Sequence, residues 1–556
     1  MKTITKQSLV LIVLLLIFTT VFGQSNNFEI SKNLDIYATL FKELNTNYVD
    51  DIKPGELMKT GIDAMLESLD PYTVYIPEAE VEDYKFIATG QYGGIGALIH
   101  KQGDYVVISE PYEGNPAQKQ GLKAGDKILE IDGVSAKGKS TSDVSSILKG
   151  QPGTKVKLLI ERESEDHPIE KDLERENVKI DNIPYFTMVA DGIGYIKLTG
   201  FTQNAGKEVK EAFLDLKGKN NLHGIILDLR GNGGGLLQEA VNISNIFVDK
   251  GQNIVSTKGK LPNKNNTYRT LEPAVDKDIS LVVLVDNSSA SASEIVAGAI
   301  QDLDRGIVIG QRTFGKGLVQ NVIPLSYNAQ AKITVAKYYI PSGRCIQAID
   351  YSHKDENGVA ERVPDSLIMT FNTKNGRSVH DGLGIEPDVQ VEPEKLSNIS
   401  YSLLTKYLIF DFANKYAREH PEIAPPDQFT ISEDIFNNFV GYISDKDYEY
   451  TTKCEETLEK LKKYAEAEEY FEDIQGEYEQ LAAKLREIKE GDIERHEEEI
   501  KDILKLEIVS RYYYQKGKII ASLASDKDLD KAIEILNEKN TYLAILDGSF
   551  KQDKEN

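Results

Sequence analysis

The sequence predicts a multidomain α+β protein with four successive parts: an N-terminal helical segment, a β-rich module, an α/β core and a C-terminal α-helical domain. The length of 556 residues exceeds what one hydrophobic core usually holds. The spacing of apolar residues also changes along the chain, which indicates different secondary structure in each part. We expect these parts to cover residues 24–83, 84–175, 176–394 and 395–556.

The composition indicates a soluble, folded protein. Apolar residues make up 40% of the chain and charged residues 28%, both ordinary values. The formal net charge of -24 argues against a nucleic-acid partner, because such a surface needs a basic face. For Cys345 and Cys454 we expect two unpaired thiols rather than a disulfide. No Cys/His cluster has the spacing of metal ligands, so we expect no metal and no other cofactor.

Residues 1–23 have the pattern of a secretory signal peptide. Lys2 and Lys6 precede an apolar run over 9–18, and small or neutral residues follow before Gln24. The run is too short for a comfortable membrane span. We expect cleavage after Gly23 and export to the periplasm or the cell envelope, with an uncleaved membrane anchor as the alternative.

Apolar residues at steps of three and four predict a helical hairpin in the N-terminal segment. Pro54 opens the second helix, and Asp70 with Pro71 ends it. The apolar faces are Leu34, Tyr37, Phe41, Leu44 and Tyr48 on the first helix and Met58, Ile62, Met65 and Leu69 on the second. We expect this hairpin to serve packing, with a contact between two copies of the chain as the alternative.

Short strands between glycine turns follow in residues 84–175. The predicted strands are 97–99, 105–108, 127–131 and 153–160, and the predicted helices are 116–120 and 142–148. This order resembles a PDZ domain. In such a module the C-terminal tail of another protein pairs with a sheet edge beside a helix, and a glycine-rich loop binds the terminal carboxylate. We place that loop at Gly93, Gly94, Ile95 and Gly96, with an ordinary tight turn as the alternative.

Strands that alternate with helices predict an α/β core in residues 176–394. Residues 224–229 form an almost continuous apolar strand, as in a sheet covered on both faces, and a glycine turn and a helix follow. Residues 279–285 repeat the scheme, with a serine-rich turn before the helix. Both turns should lie at the carboxyl ends of neighbouring strands, where open α/β sheets place their sites. We expect 350–381 to be an irregular loop and 384–391 to be the last strand.

The glycine turn, Arg230-Gly-Asn-Gly-Gly-Gly235, exposes backbone N–H groups at a helix N-terminus, where negative charge is favoured. A nucleotide site is a weak interpretation, because Leu236 stands where the dinucleotide pattern has glycine. The second interpretation is an oxyanion hole with Gly233 and Gly234 as donors. The third is a plain tight turn.

The serine-rich turn contains Ser288, Ser289, Ser291 and Ser293. The pattern from Ser291 to Glu294 fits a capping box, so a helix start explains it without any catalytic role. At the carboxyl end of a strand, a serine can also attack a carbonyl carbon. The backbone N–H of Ala292 and a glycine N–H from the other turn would then stabilise the oxyanion.

A serine nucleophile needs a base, and Lys316 is the candidate. It lies between two glycines that allow close approach, and on a strand it shares a face with Leu318 and Gln320. A lysine acts as a base only when neutral, which requires burial away from carboxylates, and Phe314 with Leu318 would supply an apolar neighbourhood. The Gln320 amide would orient the lysine. The alternative is a surface lysine on a glycine-flanked turn.

Together these motifs resemble the carboxyl-terminal processing, or tail-specific, serine peptidases. The matching segments are 69–76, 228–235, 289–302, 313–320, 341–347 and 384–389, and the likeness covers roughly residues 34–391. The resemblance implies an α/β serine-peptidase core with a serine/lysine dyad: Ser291 as the nucleophile, Lys316 as the base and Gln320 as the residue that orients the lysine. It also implies that the PDZ-like domain captures unstructured protein or peptide tails with apolar C-termini and gates the active site.

Three hypotheses follow. The first is an envelope serine endopeptidase that binds C-terminal tails and cleaves peptide bonds through an acyl-enzyme. The second is a non-catalytic tail-binding scaffold of the cell envelope, and the third is a hydrolase that uses a distant histidine. A second copy of the chain and an envelope adaptor are further candidate partners. For residues 395–556 we expect a helical bundle with solvated acidic faces.

Overall fold

The structure of the chain, a computed structural model, describes residues 6–81, 89–219 and 221–550. It divides into a smaller unit, the residues up to Tyr75 with Val322–Ile333, and a larger unit, Ile76–Asn321 with the residues from Thr334 onward. The predicted multidomain α+β class is confirmed, since N-terminal helices, a β-rich module, an α/β core and C-terminal helices follow one another along the chain.

The smaller unit contains the predicted helical hairpin. Its helices are α1 (Lys6–Asn47) and α2 (Pro54–Glu67), and strand β1 (Val74–Ile76) follows them in the chain. The Tyr37 hydroxyl donates to the sulfur of Met58 at 3.5 Å and so joins the two helices. Leu34 and Met65, on the predicted apolar faces, are more than half exposed, so the hairpin packs these faces incompletely.

Helix α1 includes residues 6–23 of the predicted signal peptide, while residues 1–5 lie outside the described residues. In the parts of the chain that the structure describes, no helix combines the length and the apolar character that a membrane crossing needs.

The β-rich module follows the predicted order of strands and helices. Strand β3 is the edge of a sheet ordered β3-β4-β5-β7-β8, and β2 pairs separately with β9. These elements are β2 (Gln91–Gly94), β3 (Ala97–Gln102), β4 (Tyr105–Pro111), α3 (Pro116–Lys119), β5 (Lys127–Ile131), β6 (Val134–Ser135), α4 (Thr141–Leu148), β7 (Lys155–Glu161), β8 (Ile169–Glu174) and β9 (Glu176–Lys179). Ser140 caps α4 by accepting a hydrogen bond from the N–H of Asp143. The module has its own apolar core, which includes Ile95, Val144 and Leu158.

The α/β core is built on six strands: β10 (Tyr185–Ala190), β11 (Ile193–Lys197), β12 (Gly224–Asp228), β15 (Ser280–Val285), β16 (Ile307–Gly310) and β23 (Val389–Gln390). They lie side by side in this order, with β10 antiparallel to β11 and all the other pairs parallel. Helices α5 (Ala205–Lys219), α6 (Leu237–Phe247) and α7 (Ala292–Asp302) share one apolar cluster with one face of the sheet.

The pairing register brings the two predicted turns together. Gly224 of β12 aligns with Ser280 of β15, and Asp228 aligns with Leu284. Because these strands are parallel and in step, the glycine turn and the serine-rich turn leave the sheet at the same edge. The predicted placement of both turns at neighbouring carboxyl ends is therefore confirmed.

Smaller strands complete the core. They are β13 (Asn253–Gly259), β14 (Asn266–Arg269), β17 (Leu318–Pro324), β18 (Gln330–Tyr339), β19 (Ile349–Lys354), β20 (Ala360–Arg362), β21 (Thr370–Asn372) and β22 (Ser378–His380). Strand β13 pairs with both β14 and β18. The segment 350–381, predicted as an irregular loop, instead forms the strand pairs β19–β20 and β21–β22.

The C-terminal part is helical, as predicted. Its helices are α8 (Asn398–Thr405), α9 (Leu408–Glu419), α10 (Glu433–Ile443), α11 (Lys453–Ala467), α12 (Phe471–Glu490), α13 (Asp492–Arg495), α14 (Glu497–Ser522), α15 (Lys527–Asn537) and α16 (Lys539–Asp547). Helices α8, α9, α10 and α14 share their own apolar core, which includes Phe412, Phe439 and Ile508.

The last two helices differ from the expectation of a separate acidic domain. Leu529, Ile535 and Leu536 of α15 are buried in one cluster with Ile226 and Val282 of the core sheet. The Tyr542 hydroxyl of α16 exchanges hydrogen bonds with the backbone N–H and carbonyl of Leu281, at 3.0 and 3.2 Å. Helices α15 and α16 therefore cover the sheet face opposite to α5, α6 and α7.

Candidate active site

Hydrogen bonds hold the glycine turn and the serine-rich turn together. The carbonyl of Asn232 accepts from the backbone N–H of Ala290 at 3.0 Å and from the hydroxyl of Ser293 at 2.8 Å. In the opposite direction, the N–H of Gly231 donates to the carboxylate of Asp286 at 3.0 Å. The two turns thus form one rigid unit at the edge of the sheet.

The structure separates the four candidate serines. Ser289 and Ser293 are fully buried, and their hydroxyls donate to the backbone carbonyls of Leu229 and Asn232. Ser288 is exposed, and its hydroxyl donates to the neighbouring Asn287 side chain at 3.2 Å. Ser291 is half-buried at the N-terminus of α7. Two of the four serines therefore hold the fold, and Ser291 is the one that lies at the junction of both turns.

Ser291 has an unusual backbone conformation. Its φ of 56° and ψ of -111° lie outside the regions that non-glycine residues normally occupy. Such strain persists only where the surroundings impose it, and it is concentrated at functional sites. Gly234 of the glycine turn packs directly on this residue, because a β-carbon on Gly234 would lie 2.8 Å from the Cβ of Ser291. Only glycine allows the two turns to approach this closely.

The buried carboxylate of Glu294 connects the two candidate catalytic residues. Its Oε2 accepts from the backbone N–H of Ser291 at 2.8 Å and from that of Lys316 at 2.9 Å. Because both N–H groups donate to the same oxygen atom, the backbone nitrogens of Ser291 and Lys316 lie close to each other. Its Oε1 accepts from the Thr313 hydroxyl at 2.6 Å and from the Gly315 N–H at 2.8 Å.

The hydrogen bonds indicate an ionised Glu294. Burial raises the pKa of Glu294 above its ordinary value, although the hydrogen bonds from the Thr313 hydroxyl and from the backbone N–H groups of Lys316, Ser291 and Gly315 act in the opposite direction. A carboxylate offers about four lone-pair positions, and four donors occupy them, which leaves no place for a proton. The position of Glu294 in the first turn of α7 also favours negative charge.

Tyr338 makes a second connection on the carbonyl side. Its hydroxyl lies 3.1 Å from the carbonyl oxygen of Ser291 and 2.5 Å from that of Lys316. The single hydroxyl proton is donated to one carbonyl at a time. Tyr338 is 1% exposed, so its position is set by packing. The Glu294 carboxylate and the Tyr338 hydroxyl thus fix the backbones of Ser291 and Lys316 relative to each other.

Two glycines allow the Lys316 segment to pack tightly, as predicted. A β-carbon on Gly315 would lie 2.4 Å from the Cβ of Ala348, and one on Gly317 would lie 2.8 Å from the backbone nitrogen of Gln347. The N–H of Gly317 donates to the Gln347 side chain at 2.7 Å.

The surroundings of Lys316 differ from the prediction in two respects. Leu318 is buried as predicted, but Phe314 is 44% exposed. A carboxylate, that of Glu294, also lies close to the Lys316 backbone, where we expected none. Lys316 itself is half-buried. The half-buried Gln320 amide donates to the Thr334 hydroxyl at 3.2 Å, and its predicted role in orienting Lys316 stays a prediction.

The predicted oxyanion donors lie next to Ser291. Ala292 is the first residue of α7, and a β-carbon on Gly234 would lie 2.9 Å from its backbone nitrogen. The N–H of Gly234 donates to the Asn232 side chain at 2.9 Å, so Gly234 could bind an oxyanion only by giving up this bond. This hydrogen bond argues against Gly234 as the glycine donor and leaves Gly233 as the other predicted donor beside Ala292.

The predicted carboxylate-binding loop is partly a strand. Gly93 and Gly94 belong to β2 and pair with β9, which corrects the expectation of a loop over all four residues. Ile95 is buried in the core of the module, and Gly96 has a φ of 71°, so the chain turns there into β3. The carbonyls of Ile95 and Gly96 accept bonds from Ala117 and Tyr112.

The groove expected for a peptide lies along the edge strand β3, beside α4. At the far end of β3, Gln102 donates to the Asp411 carboxylate at 3.0 Å, and the His100 ring stacks on Tyr407 with centroids 4.3 Å apart. The C-terminal helices therefore hold the end of β3 that is remote from the glycines.

Family models and related proteins match this chain. The model described as peptidase family S41 matches residues 192–355, a PDZ-domain model matches 107–162, and a model described as probable PDZ-protease, C-terminal helical domain, matches 399–536.

The carboxy-terminal-processing protease of Bartonella bacilliformis is 35% identical over 321 residues, which cover 57% of this chain and 73% of that protein. The carboxy-terminal processing protease CtpA of Bacillus subtilis is 32% identical, over 59% of this chain and 70% of its own length. The solved photosystem II D1 C-terminal processing protease is 28% identical and covers 65% of this chain and 93% of that chain, with a TM-score of 0.35.

Proposed function

Because this chain belongs to the carboxy-terminal-processing serine proteases of peptidase family S41, we propose that it cleaves peptide bonds with a dyad of Ser291 and Lys316. The observation that carries the proposal is the shared oxygen of Glu294, which accepts the backbone N–H groups of both residues. Two residues that are separated in sequence are thereby held together at the carboxyl edge of an α/β sheet, where such folds place their sites.

The reaction proceeds in two halves. In the first, the Ser291 Oγ attacks the peptide carbonyl carbon while its proton passes to the Lys316 Nζ. The tetrahedral intermediate collapses as the C–N bond breaks, and the lysine returns the proton to the leaving amine. In the second half, water attacks the resulting ester, Lys316 accepts the proton of that water, and Ser291 regains it when the acid product leaves. The N–H groups of Ala292 and Gly233 stabilise the oxyanion in both halves.

The PDZ domain supplies substrate recognition. A protein tail adds as a strand to the open edge of β3 beside α4, and the glycine segment that ends at Gly96 binds the terminal carboxylate. The edge position of β3 supports this mode of binding, because its outer hydrogen-bonding groups have no strand partner within the sheet. The substrates are proteins or peptides with apolar C-termini, and a tail held there gates the active site.

We also propose that the chain works in the cell envelope. Lys2 and Lys6, followed by the apolar run over 9–18, support export. Fractionation of cells that express the full chain tests this. A mature protein that begins at Gln24 and is found outside the cytoplasm agrees with the proposal, and an intact chain in the cytoplasm contradicts it.

A cleavage assay tests the dyad. A model protein with an apolar tail is incubated with the purified chain, and the products are identified by mass spectrometry. Ser291→Ala and Lys316→Ala should each lower kcat/KM by roughly four orders of magnitude or more, as in other catalytic units whose members act together. Ser288→Ala, on the exposed serine of the same turn, is the matched control and should cleave like the unmodified protein.

Two outcomes of this assay contradict the proposal. Unchanged cleavage by Lys316→Ala would exclude the dyad and would favour the third hypothesis, a hydrolase that uses a distant histidine. An unmodified protein that binds tails without cleaving them would instead support the non-catalytic scaffold.

A further inference from the structure

The guanidinium of Arg230, the first residue of the glycine turn, uses all five of its N–H donors. Nε and Nη2 donate to the two oxygens of Asp228 at 3.0 and 2.7 Å. Nη1 and Nη2 donate to the two oxygens of Asp526 at 2.7 and 2.6 Å, and Nη1 also donates to Asp528 at 2.9 Å. An arginine has five such donors, so no other side chain could make this set of bonds.

Two of these three carboxylates come from the C-terminal helices. Asp526 is the N-cap of α15, and its side chain accepts from the backbone N–H of Leu529 at 3.0 Å. Asp528 lies in the first turn of the same helix. A helix that covers the back of the core sheet thus reaches around its edge and binds the turn that carries the oxyanion donors.

The network is largely buried and carries one more negative than positive charge. Asp228 is fully buried, and burial by itself raises the pKa of a carboxyl group. The charges of Lys197 and Arg230 nevertheless hold the pKa of Asp228 below the ordinary range. Lys197 lies 3.2 Å from Asp228 and donates to the carbonyl of Arg230 at 2.9 Å. Three carboxylates therefore face two cations. Breaking a buried ion pair on one side leaves an uncompensated charge, so every member depends on the others.

We propose that Asp526 and Asp528 are positioning residues of the active site: through Arg230 they hold the glycine turn at the distance from Ser291 that oxyanion binding requires. This inference rests on the proposed function. The path is short, because Arg230 begins the turn and Gly234, four residues later, packs against Ser291. The C-terminal helices are accordingly a working part of the catalytic site as well as a cover for the sheet.

The double variant Asp526→Asn with Asp528→Asn tests the proposal. Asparagine caps a helix as well as aspartate does, so α15 should keep its N-terminus while Arg230 loses its two ionic partners on α15 and keeps only Asp228. We expect kcat for an apolar-tailed substrate to fall roughly ten- to a hundredfold, the scale of a small displacement of catalytic groups. KM and the Kd for a tail peptide should stay unchanged, because the PDZ domain is not involved. Amide hydrogen exchange should accelerate in residues 229–236.

The matched control is Lys527→Gln, between the two aspartates in sequence. Lys527 pairs with Glu394 at 2.8 Å, but both side chains are largely exposed, so this variant should keep kcat and the exchange pattern. The single variant Asp528→Asn replaces one charge-assisted bond of Arg230 by a bond to a neutral amide at most, and it provides a milder case if the double variant folds poorly.

Unchanged kcat in the double variant, or unchanged exchange in residues 229–236 of either variant, would overturn the proposal. The exchange measurement does not depend on catalysis. If the unmodified protein cleaved nothing, the proposed function would fail, while faster exchange of the turn in the variants would still support the link from α15 to the turn.

Discussion

At the scale of single residues, the site depends on a buried anion that never touches the substrate in the proposed mechanism. Glu294 accepts four hydrogen bonds, two from the backbones of Ser291 and Lys316 and two from Thr313 and Gly315. Charge-assisted bonds of this kind are stronger than bonds between neutral groups. Glu294 therefore fixes the backbone geometry that the proposed dyad needs.

We predict that Glu294→Gln impairs both folding and reaction. Glutamine keeps one acceptor oxygen, so two of the four buried donors lose their partner, at a cost of roughly 1–3 kcal/mol each. Denaturant unfolding should show this loss of free energy, and kcat should fall with little change in KM. Glu386→Gln is the control, because Glu386 forms a partly exposed pair with Arg312. Equal stability of Glu294→Gln and the unmodified protein would contradict the assigned role.

The sequence could identify Ser291, Lys316 and Gln320 as candidates, but it could not reveal how they are held. Ser291 and Glu294 are three residues apart, which predicted a capping box and, through the family resemblance, the choice of Ser291 as the nucleophile, but no contact of Glu294 with Lys316. The other donors to Glu294 come from the segment 313–316, and Tyr338, which binds the carbonyl side, lies on β18. Such contacts depend on how distant segments pack, and a linear pattern contains no signal for them.

At the scale of secondary-structure elements, one arginine binds the C-terminal end of α4, the helix beside the expected peptide groove. Arg175 is buried and donates to the carbonyls of Ile147 and Leu148 at the end of α4, at 2.7 and 3.1 Å. It also donates to the carbonyl of Lys155, at the start of β7. Arg175 thus ties the helix that lines the groove to the sheet.

We predict that Arg175→Ala weakens tail binding about tenfold, which corresponds to about 1.4 kcal/mol. The carbonyls of the last turn of α4 lose their charged hydrogen-bond donor. The helix that forms one wall of the expected groove is then held less firmly against the sheet. The measurement is the Kd of an apolar-tailed peptide for the full chain, made in a Ser291→Ala background to prevent cleavage. The matched control is Lys171→Ala, whose lysine donates to Gln120 at the end of α3. A weaker affinity in both variants alike would speak against a specific effect on the groove.

Helices and strands were predicted well where the local sequence alone contains the pattern of the element. The capped helix α4 and the apolar strand β12 are examples. Gly93 and Gly94 were assigned to a loop because glycine favours turns. Their strand character depends on pairing with β9, more than 80 positions later in the chain, and no local pattern shows that partner.

At the scale of the whole molecule, the C-terminal helices have two different relations to the core. The spacing of Leu529, Ile533 and Leu536 predicts a buried stripe, but it does not tell which surface the stripe covers. In the structure that surface is the peptidase sheet. Helices α11 and α12, in contrast, bury almost nothing: only Leu458 and Ala465 of α11 are buried, and no residue of α12 is.

Two deletions should therefore have opposite results. Removal of the residues after Ser525 exposes one face of the core sheet. Each large buried side chain contributes roughly 1.5–3 kcal/mol to the free energy of unfolding. The summed loss from these helices therefore approaches the whole free energy of unfolding of a typical protein, about 5–15 kcal/mol. We expect an insoluble or unfolded product.

Replacement of residues 453–490 by a short flexible linker should leave a folded, active enzyme, because Tyr450 and Asp492 on either side remain hydrogen-bonded. Solubility, thermal unfolding and cleavage are measured for both, and a fully stable C-terminal truncation would contradict this account.

The most direct test of the dyad is reaction with a fluorophosphonate, which phosphonylates an activated serine with loss of fluoride. The modified residue is identified by mass spectrometry of the digested protein. We predict one adduct, on Ser291, formed in the unmodified protein and strongly slowed in Lys316→Ala. An adduct on Ser288 or another serine, or equal labelling of Ser291 with and without Lys316, would contradict the central claim.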